Sequence, residues 1–118
     1  MPHRLPADLH CPRIKTTPNG PELSRIVAGM WRMTEWSMTL EQRIAFIEQC
    51  IALGVTTFDH ADIYGSYGVE GLFGEALGRK PSLRDQMQLV SKCGIKLVAP
   101  QRPQHSIQHY DTSASHII

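Results

Sequence analysis

The 118-residue sequence predicts an α/β fold of parallel strands joined by helical crossovers, of the (β/α)8 TIM-barrel type. Two observations predict it. Short apolar or β-branched runs begin at Arg25, Val55 and Gln88, 30 and 33 residues apart, which is the spacing of βαβ units. A helical stripe with start and stop signals lies between the first two runs. Eight units of ~31 residues would make a barrel of about 250 residues. The chain is therefore expected to cover about the first three β/α units of a longer protein, with residues 1–24 as an N-terminal tail and 25–118 as the truncated barrel.

The elements follow in order. Residues 1–24 hold five of the eight prolines and read as irregular. Within them, Pro18-Asn19-Gly20 is a turn signal between Arg13–Thr16 and Leu23–Ile26, a possible hairpin. Arg25 to Trp31 is a short apolar run that suits a buried strand. Thr39 caps the following helix, and Gln42 three residues on completes a capping box. Leu40, Ile44, Ile47 and Ile51 recur at helical spacing, with Phe46 and Leu53 beside them, and Gly54 is the stop signal. Val55 to Asp59 is the second strand, β-branched and aromatic. A Gly- and Tyr-rich loop leads to a short helix, Val69 to Leu77, which Gly78 is expected to end. A helical turn after Pro81 and a third strand, Gln88 to Lys92, come next. Residues 93–110 read as a long connection, and Asp111-Thr112-Ser113 as a fresh helix start.

Composition narrows the function classes. Hydrophobic residues at 42% and charged residues at 19% make a globular chain, not a disordered one. Twelve Lys and Arg against eleven Asp and Glu leave a charge of +1. That balance gives no electrostatic reason for a nucleic-acid or acidic-membrane partner. Apolar stretches break within about eight residues, against the ~20 of a membrane span. Cys11, Cys50 and Cys93 are odd in number and form no CxxC pair, so neither a disulfide framework nor a zinc knuckle fits. Met1 to Lys15 mixes Pro, His and Arg without an apolar stretch, so no secretion signal is expected. A reducing, cytoplasmic setting is expected.

In a parallel barrel, chemistry gathers where strands run out at their C-terminal face. The second strand ends in Asp59 and the third in Lys92, so both point to one mouth. Alternation along the strand turns Thr57 and Val55 inward with Asp59, and Phe58 outward towards the helices. Tyr64 follows on a loop that can fold back over the mouth. A phenol with pKa near 10 is a poor acid at neutral pH. A nearby ammonium stabilises its anion, and a carboxylate keeps that ammonium charged and oriented. Such a trio suits proton donation to a carbonyl oxygen.

Phe58-Asp59-His60-Ala61-Asp62-Ile63-Tyr64-Gly65, then Glu70 and Gly74-Glu75-Ala76-Leu77-Gly78, then Val90-Ser91-Lys92, resemble the aldo-keto reductases, in particular a bacterial NADPH-dependent oxidoreductase branch. The resemblance runs from about Ser24 to Ile118. It implies reversible reduction of an aldehyde or ketone to an alcohol with NADPH. Tyr64 would be the proton donor, Lys92 the partner that lowers its pKa, and Asp59 the residue that orients Lys92. Gly29, Met30, Trp31 and Asp59 would border the cofactor, with Met30 contributing its backbone alone because the family usually has a small hydroxylated residue there. The resemblance also places a fourth catalytic residue, a histidine, at the end of strand four, and the adenosine-phosphate site in later strands. Turnover by these 118 residues alone is not expected.

Other readings compete. The chain could be a non-catalytic, truncated or nicotinamide-sensing relative, whose open sheet edges invite assembly. His60 and Asp62 could be ligands of a metal-dependent barrel hydrolase, yet alternation turns His60 away from the mouth. Gly65 to Gly71 has the wrong spacing for a phosphate loop; Gly71 and Gly74 instead suit close helix–strand packing. Glu70 suits a helix start without a catalytic role. Cys93 reads as an inert packed thiol, Trp31 as either pocket wall or core, and His105, His109 and His116 as surface residues.

Overall fold

The computed structural model describes residues 10–118, so the first nine residues of the expected tail lie outside the described residues. Strands β1 (Arg13–Lys15) and β2 (Glu22–Ser24) pair antiparallel across the Pro18-Asn19-Gly20 turn. Then β3 (Val27–Gly29), α1 (Leu40–Ala52) and β4 (Thr57–Asp59) form the first crossover. A one-turn element, α2 (Tyr64–Tyr67), leads into α3 (Val69–Arg79), and β5 (Gln88–Val90) follows. The three strands β3, β4 and β5 make one parallel sheet in that order. Its register sets Gly29 beside Asp59 and Asp59 beside Val90. That row is the C-terminal rim of the sheet.

Helix α1 starts as the capping box dictates. The Thr39 side chain accepts from the Gln42 backbone N–H at 3.1 Å, and the Gln42 side chain accepts from the Thr39 N–H at 2.9 Å. Two N–H groups that the helix cannot satisfy itself are thereby matched. At the other end Gly54 takes φ +82, and a Cβ there would lie 2.4 Å from the Cys11 carbonyl oxygen. Only glycine tolerates both the left-handed backbone and that approach.

The core lies between the sheet and the two long helices. Met30, Met33, Ile47, Phe58, Val69, Phe73, Ala76, Leu83 and Met87 are buried together, with Leu40, Ile44 and Ile51 of the α1 stripe packed against them. Phe58 faces the helices, its ring centroid 5.3 Å from that of Phe73. Thr57, on the opposite face, is also fully buried. It is covered by β2, because the Ser24 N–H donates to Thr57 Oγ1 at 2.9 Å and Ser24 Oγ accepts from the Thr57 N–H at 3.0 Å. The hairpin thus ties the N-terminal ends of the strands, opposite the Asp59 rim.

Several expectations are corrected. Helix α3 runs past Gly78 to Arg79, because Gly78 keeps a helical backbone. It stops at Lys80, where the following proline disfavours the α conformation. Gly71 and Gly74 approach nothing: a Cβ on either would meet no atom within 4 Å. They are exposed on the open face of α3. The connection 93–110 contains its own antiparallel pair, β6 (Ile95–Lys96) with β7 (His109–Tyr110), and an Ala99–Arg102 bridge. Strand β5 ends at Val90, two residues before Lys92, because the ladder it pairs with ends at Asp59. The helix start expected at Asp111-Thr112-Ser113 leads into α4 (Ala114–Ile117), with Ser113 at the N-cap position but making no side-chain capping bond.

Candidate active site

The site is built from three backbone continuations beyond the rim. After Asp59 the chain leaves the sheet under control of β5. The His60 N–H donates to the Val90 carbonyl at 2.7 Å, and the Asp62 N–H donates to the Lys92 carbonyl at 3.0 Å. These two bonds keep the chains after β4 and β5 side by side, so Asp59 and Lys92 meet. Lys92 Nζ donates to Asp59 Oδ1 at 2.7 Å and to the His60 carbonyl at 2.8 Å. It also sits 5.3 Å from the centre of the Tyr64 ring. The structure therefore brings Asp59, Tyr64 and Lys92 together.

Its electrostatics follow from those contacts. The hydrogen bond it donates to Asp59 holds the Lys92 ammonium above the usual lysine range; Tyr64 adds in the same direction and desolvation opposes it. The Asp59 side chain is 33 % exposed and that of Lys92 51 %, so the pair is reachable from solvent and screened by it. A cavity of about 240 Å³ adjoins it, lined by Ala61, Asp62, Ile63, Tyr64, Lys92, Cys93 and Ile95. Cys93, expected as an inert packed thiol, is exposed and borders this cavity. A group entering there meets a cation and a phenol on one wall.

Residue 60 divides the two faces of the sheet. Its carbonyl serves Lys92, while its imidazole is 4 % exposed and packs edge-on to Phe73 with centroids 4.5 Å apart. His60 and Asp62 thus do not converge on one point, because Asp62 lines the cavity beside Lys92. Among the described residues no three His, Cys, Asp or Glu side chains cluster as a metal site would require. Burial pushes the His60 imidazole below the ordinary histidine value; Glu70 and Asp59 oppose this and Lys92 reinforces it. The unfolded chain therefore takes up a proton first as the pH falls. Stability should be lost progressively below pH about 6.5, down to the lowered folded value. His60→Leu should flatten this acid limb in urea titrations between pH 4 and 7, whereas equal slopes in both proteins would exclude His60 as its source.

The residues expected to border a cofactor divide in the same way. Gly29 lies on the rim beside Asp59, with no atom within 4 Å of where a Cβ would be. Trp31 is 62 % exposed, with Arg32 stacked at 4.8 Å on its ring. Met30 is 1 % exposed and part of the core, and its N–H is already bonded to the Asp59 carbonyl at 3.0 Å. An open backbone at Gly29, an exposed aromatic face at Trp31 and a reachable carboxylate at Asp59 fit a flat, uncharged ring such as nicotinamide. Met30 supports that wall from behind.

Two participants escape sequence reasoning. Tyr67 bonds the backbone of residues 95 and 97, and His105 stacks near its ring; both depend on contacts about 30 and 40 residues away in sequence, which no local pattern announces. Glu70, expected only as a helix-start acid, also accepts the Ser91 hydroxyl. That bond fastens α3 to the segment carrying Lys92.

Comparison with known proteins agrees with this architecture. Oxidoreductase YdhF of Escherichia coli is 53% identical over 106 residues, which are 90% of this chain and 35% of that protein. The 6-dehydroglucose reductase of Agrobacterium fabrum is 47% identical over 97 residues, covering 81% of this chain and 33% of that one. The solved structure of aldo-keto reductase AKR11C1 from Bacillus halodurans, in its holo form, superposes with a TM-score of 0.68 at 18% identity. It covers 92% of this chain and 33% of that structure. The chain spans about a third of the length of these relatives, and its fold is the corresponding part of a (β/α)8 barrel. No helix among the described residues is long and apolar enough to cross a membrane. Residues 25–118 match the aldo/keto reductase family, and the chain belongs to it.

Proposed function

We propose that Asp59, Tyr64 and Lys92 are the proton-donating part of a carbonyl reductase that uses NADPH in the cytoplasm and acts on small aldehydes or ketones. The observation that carries this reading is Lys92 Nζ, placed between the Asp59 carboxylate at 2.7 Å and the Tyr64 ring at 5.3 Å. Asp59 keeps Lys92 charged and aimed. Lys92 stabilises the phenolate left when Tyr64 Oη passes its proton to the carbonyl oxygen. The same ammonium opposes the negative charge that builds on that oxygen. The half-open cavity lets the phenolate recover a proton from solvent. Gly29, Trp31 and Asp59 would hold the nicotinamide end of the cofactor, with Met30 behind them. When bound, reduced nicotinamide supplies the hydride for the carbonyl carbon.

The relative named 6-dehydroglucose reductase supports a carbonyl substrate, and the free cysteines Cys11, Cys50 and Cys93 suit a reducing compartment. The test joins this chain to the C-terminal two-thirds of YdhF, which completes a barrel around the proposed residues. NADPH oxidation should then depend on added aldehyde or ketone, and NADPH should be preferred to NADH. A folded hybrid that binds NADPH yet reduces no carbonyl compound would overturn the proposal.

A further inference from the structure

We infer that Tyr67 is a positioning residue for Tyr64, acting as a clamp between the turn that carries Tyr64 and the 93–110 excursion. The inference rests on the reading of Tyr64 as proton donor. Three consecutive residues after Tyr64 have positive φ: Gly65 at 61, Ser66 at 52 and Tyr67 at 70. A left-handed backbone is unfavourable for L-residues and is ordinarily visited one residue at a time. Such strain persists only where the surroundings over-determine it.

The surroundings do so on two sides. On one side the turn abuts Thr34, since a Cβ on Gly65 would lie 2.5 Å from Thr34 Cγ2. On the other, Tyr67 Oη accepts the Leu97 N–H at 2.9 Å and donates to the Ile95 carbonyl at 3.4 Å. The Arg102 guanidinium lies 4.3 Å from the Tyr67 ring centre, and the His105 ring 6.1 Å from it. His105 Nδ1 in turn meets the Leu97 carbonyl at 2.8 Å. One phenol is thus bonded by its hydroxyl and covered on its ring by the same excursion.

The consequence reaches Tyr64 through a single turn of backbone. Tyr64 opens the strained turn and Tyr67 ends it, closed by the Gly68 N–H on the Tyr64 carbonyl at 3.1 Å. Releasing Tyr67 frees the two strained non-glycine residues, Ser66 and Tyr67, to relax to ordinary backbone. That relaxation rotates Tyr64 away from Lys92. Ile95 lines the cavity beside Lys92, so the same clamp also places that wall.

Tyr67→Phe in the 118-residue chain is the test, because it removes the hydroxyl and keeps the ring. Hydrogen exchange at the Leu97 amide should accelerate about tenfold, the factor carried by a lost part-buried hydrogen bond. The Lys92 ε-methylene protons, now shielded by the Tyr64 ring, should move towards the shift they have in Tyr64→Leu. Loss of stability alone would not move that signal in the folded protein. Faster Leu97 exchange with unmoved Lys92 protons would overturn the proposal, since Tyr67 would then only tether the excursion. Unchanged Leu97 exchange would overturn it as well. If Tyr67→Phe does not fold, Arg102→Ala with His105→Ala uncovers the ring while keeping the hydroxyl. The Lys92 signals should then shift in the same direction, and unmoved signals would count against the clamp. Neither readout uses turnover, so failure of the reductase reading would leave its own mark: moved Lys92 protons in Tyr67→Phe, with carbonyl reduction untouched by Tyr64→Phe.

Discussion

Replacing Tyr64 by Phe in the barrel completed with YdhF should lower kcat for carbonyl reduction by about 10²–10⁴-fold, the range that a positioned general acid supplies. That factor corresponds to roughly 3–5 kcal/mol of barrier. The ring stays, so its contact with Lys92 and the wall of the cavity stay with it. The group that can hand a proton to the carbonyl oxygen is what is lost. Cofactor affinity should hardly change, because Gly29 ends β3 and Trp31 follows it, so neither touches the phenol's proton. The signature is therefore a fall in kcat with an unchanged dissociation constant for NADPH, followed by quenching of Trp31 fluorescence. Asp59→Asn acts earlier in the chain of causes. It takes the negative charge out of the bond that contributes most to holding Lys92 above its ordinary range, so the Lys92 ammonium should titrate lower and be held more weakly. Turnover of Tyr64→Phe near that of the parent protein would remove Tyr64 from the mechanism.

The parts of this site that were legible in the sequence are those whose physics is local. Thr39 and Gln42 are three residues apart, and their reciprocal bonds need nothing beyond that turn. Pro18-Asn19 likewise turns its hairpin locally, at the centre of a β-turn closed by the Gly20 N–H on the Thr17 carbonyl at 3.0 Å. Asp59 and Lys92 were readable because each follows a β-branched or apolar run, and strand ends in a parallel sheet share one rim. Alternation along β4 was enough to separate Phe58 from Asp59 and to turn the His60 ring away. What was not legible depends on partners far along the chain. Gly78 carries the same stop signal as Gly54, yet only Gly54 takes a positive φ; Gly54 sits where the Cys11 carbonyl leaves no room for a side chain, whereas α3 runs on through Gly78 and stops before Pro81. Met30 is an apolar residue beside an apolar tryptophan, and nothing local says that one is buried and the other 62 % exposed. The two-residue pairing of Ile95–Lys96 with His109–Tyr110 is too short for any period to register. Tyr67 belongs to this group, since its role exists only once residues 95–105 have folded against it.

Phe58→Ala should have the largest effect on stability, about 3–5 kcal/mol, out of the roughly 5–15 kcal/mol that a domain of this kind possesses. Phe58 is fully buried, and its ring meets Phe73 on α3. Truncation leaves a void between sheet and helix that neither Phe73 nor Ile47 can fill without moving its own backbone. Leu89 tests the argument from the next strand. It is paired with Phe58 in register and is comparably apolar, yet it is 38 % exposed, so Leu89→Ala should cost only about 1 kcal/mol. Phe58→Leu, which keeps most of the volume, should cost far less than Phe58→Ala. The ordering reaches the site because Asp59 is the next residue on β4. A strand end that has lost its packing holds Asp59 less firmly against Lys92, so Phe58→Ala should also bring the Lys92 titration down towards its ordinary value wherever the variant still folds. Urea midpoints for the three variants decide the matter. If Phe58→Ala and Leu89→Ala shift the midpoint equally, side-chain hydrophobicity rather than burial against α3 governs this sheet, and the support it gives Asp59 must come from the Ser24 and Gln88 bonds at the other end of the strand.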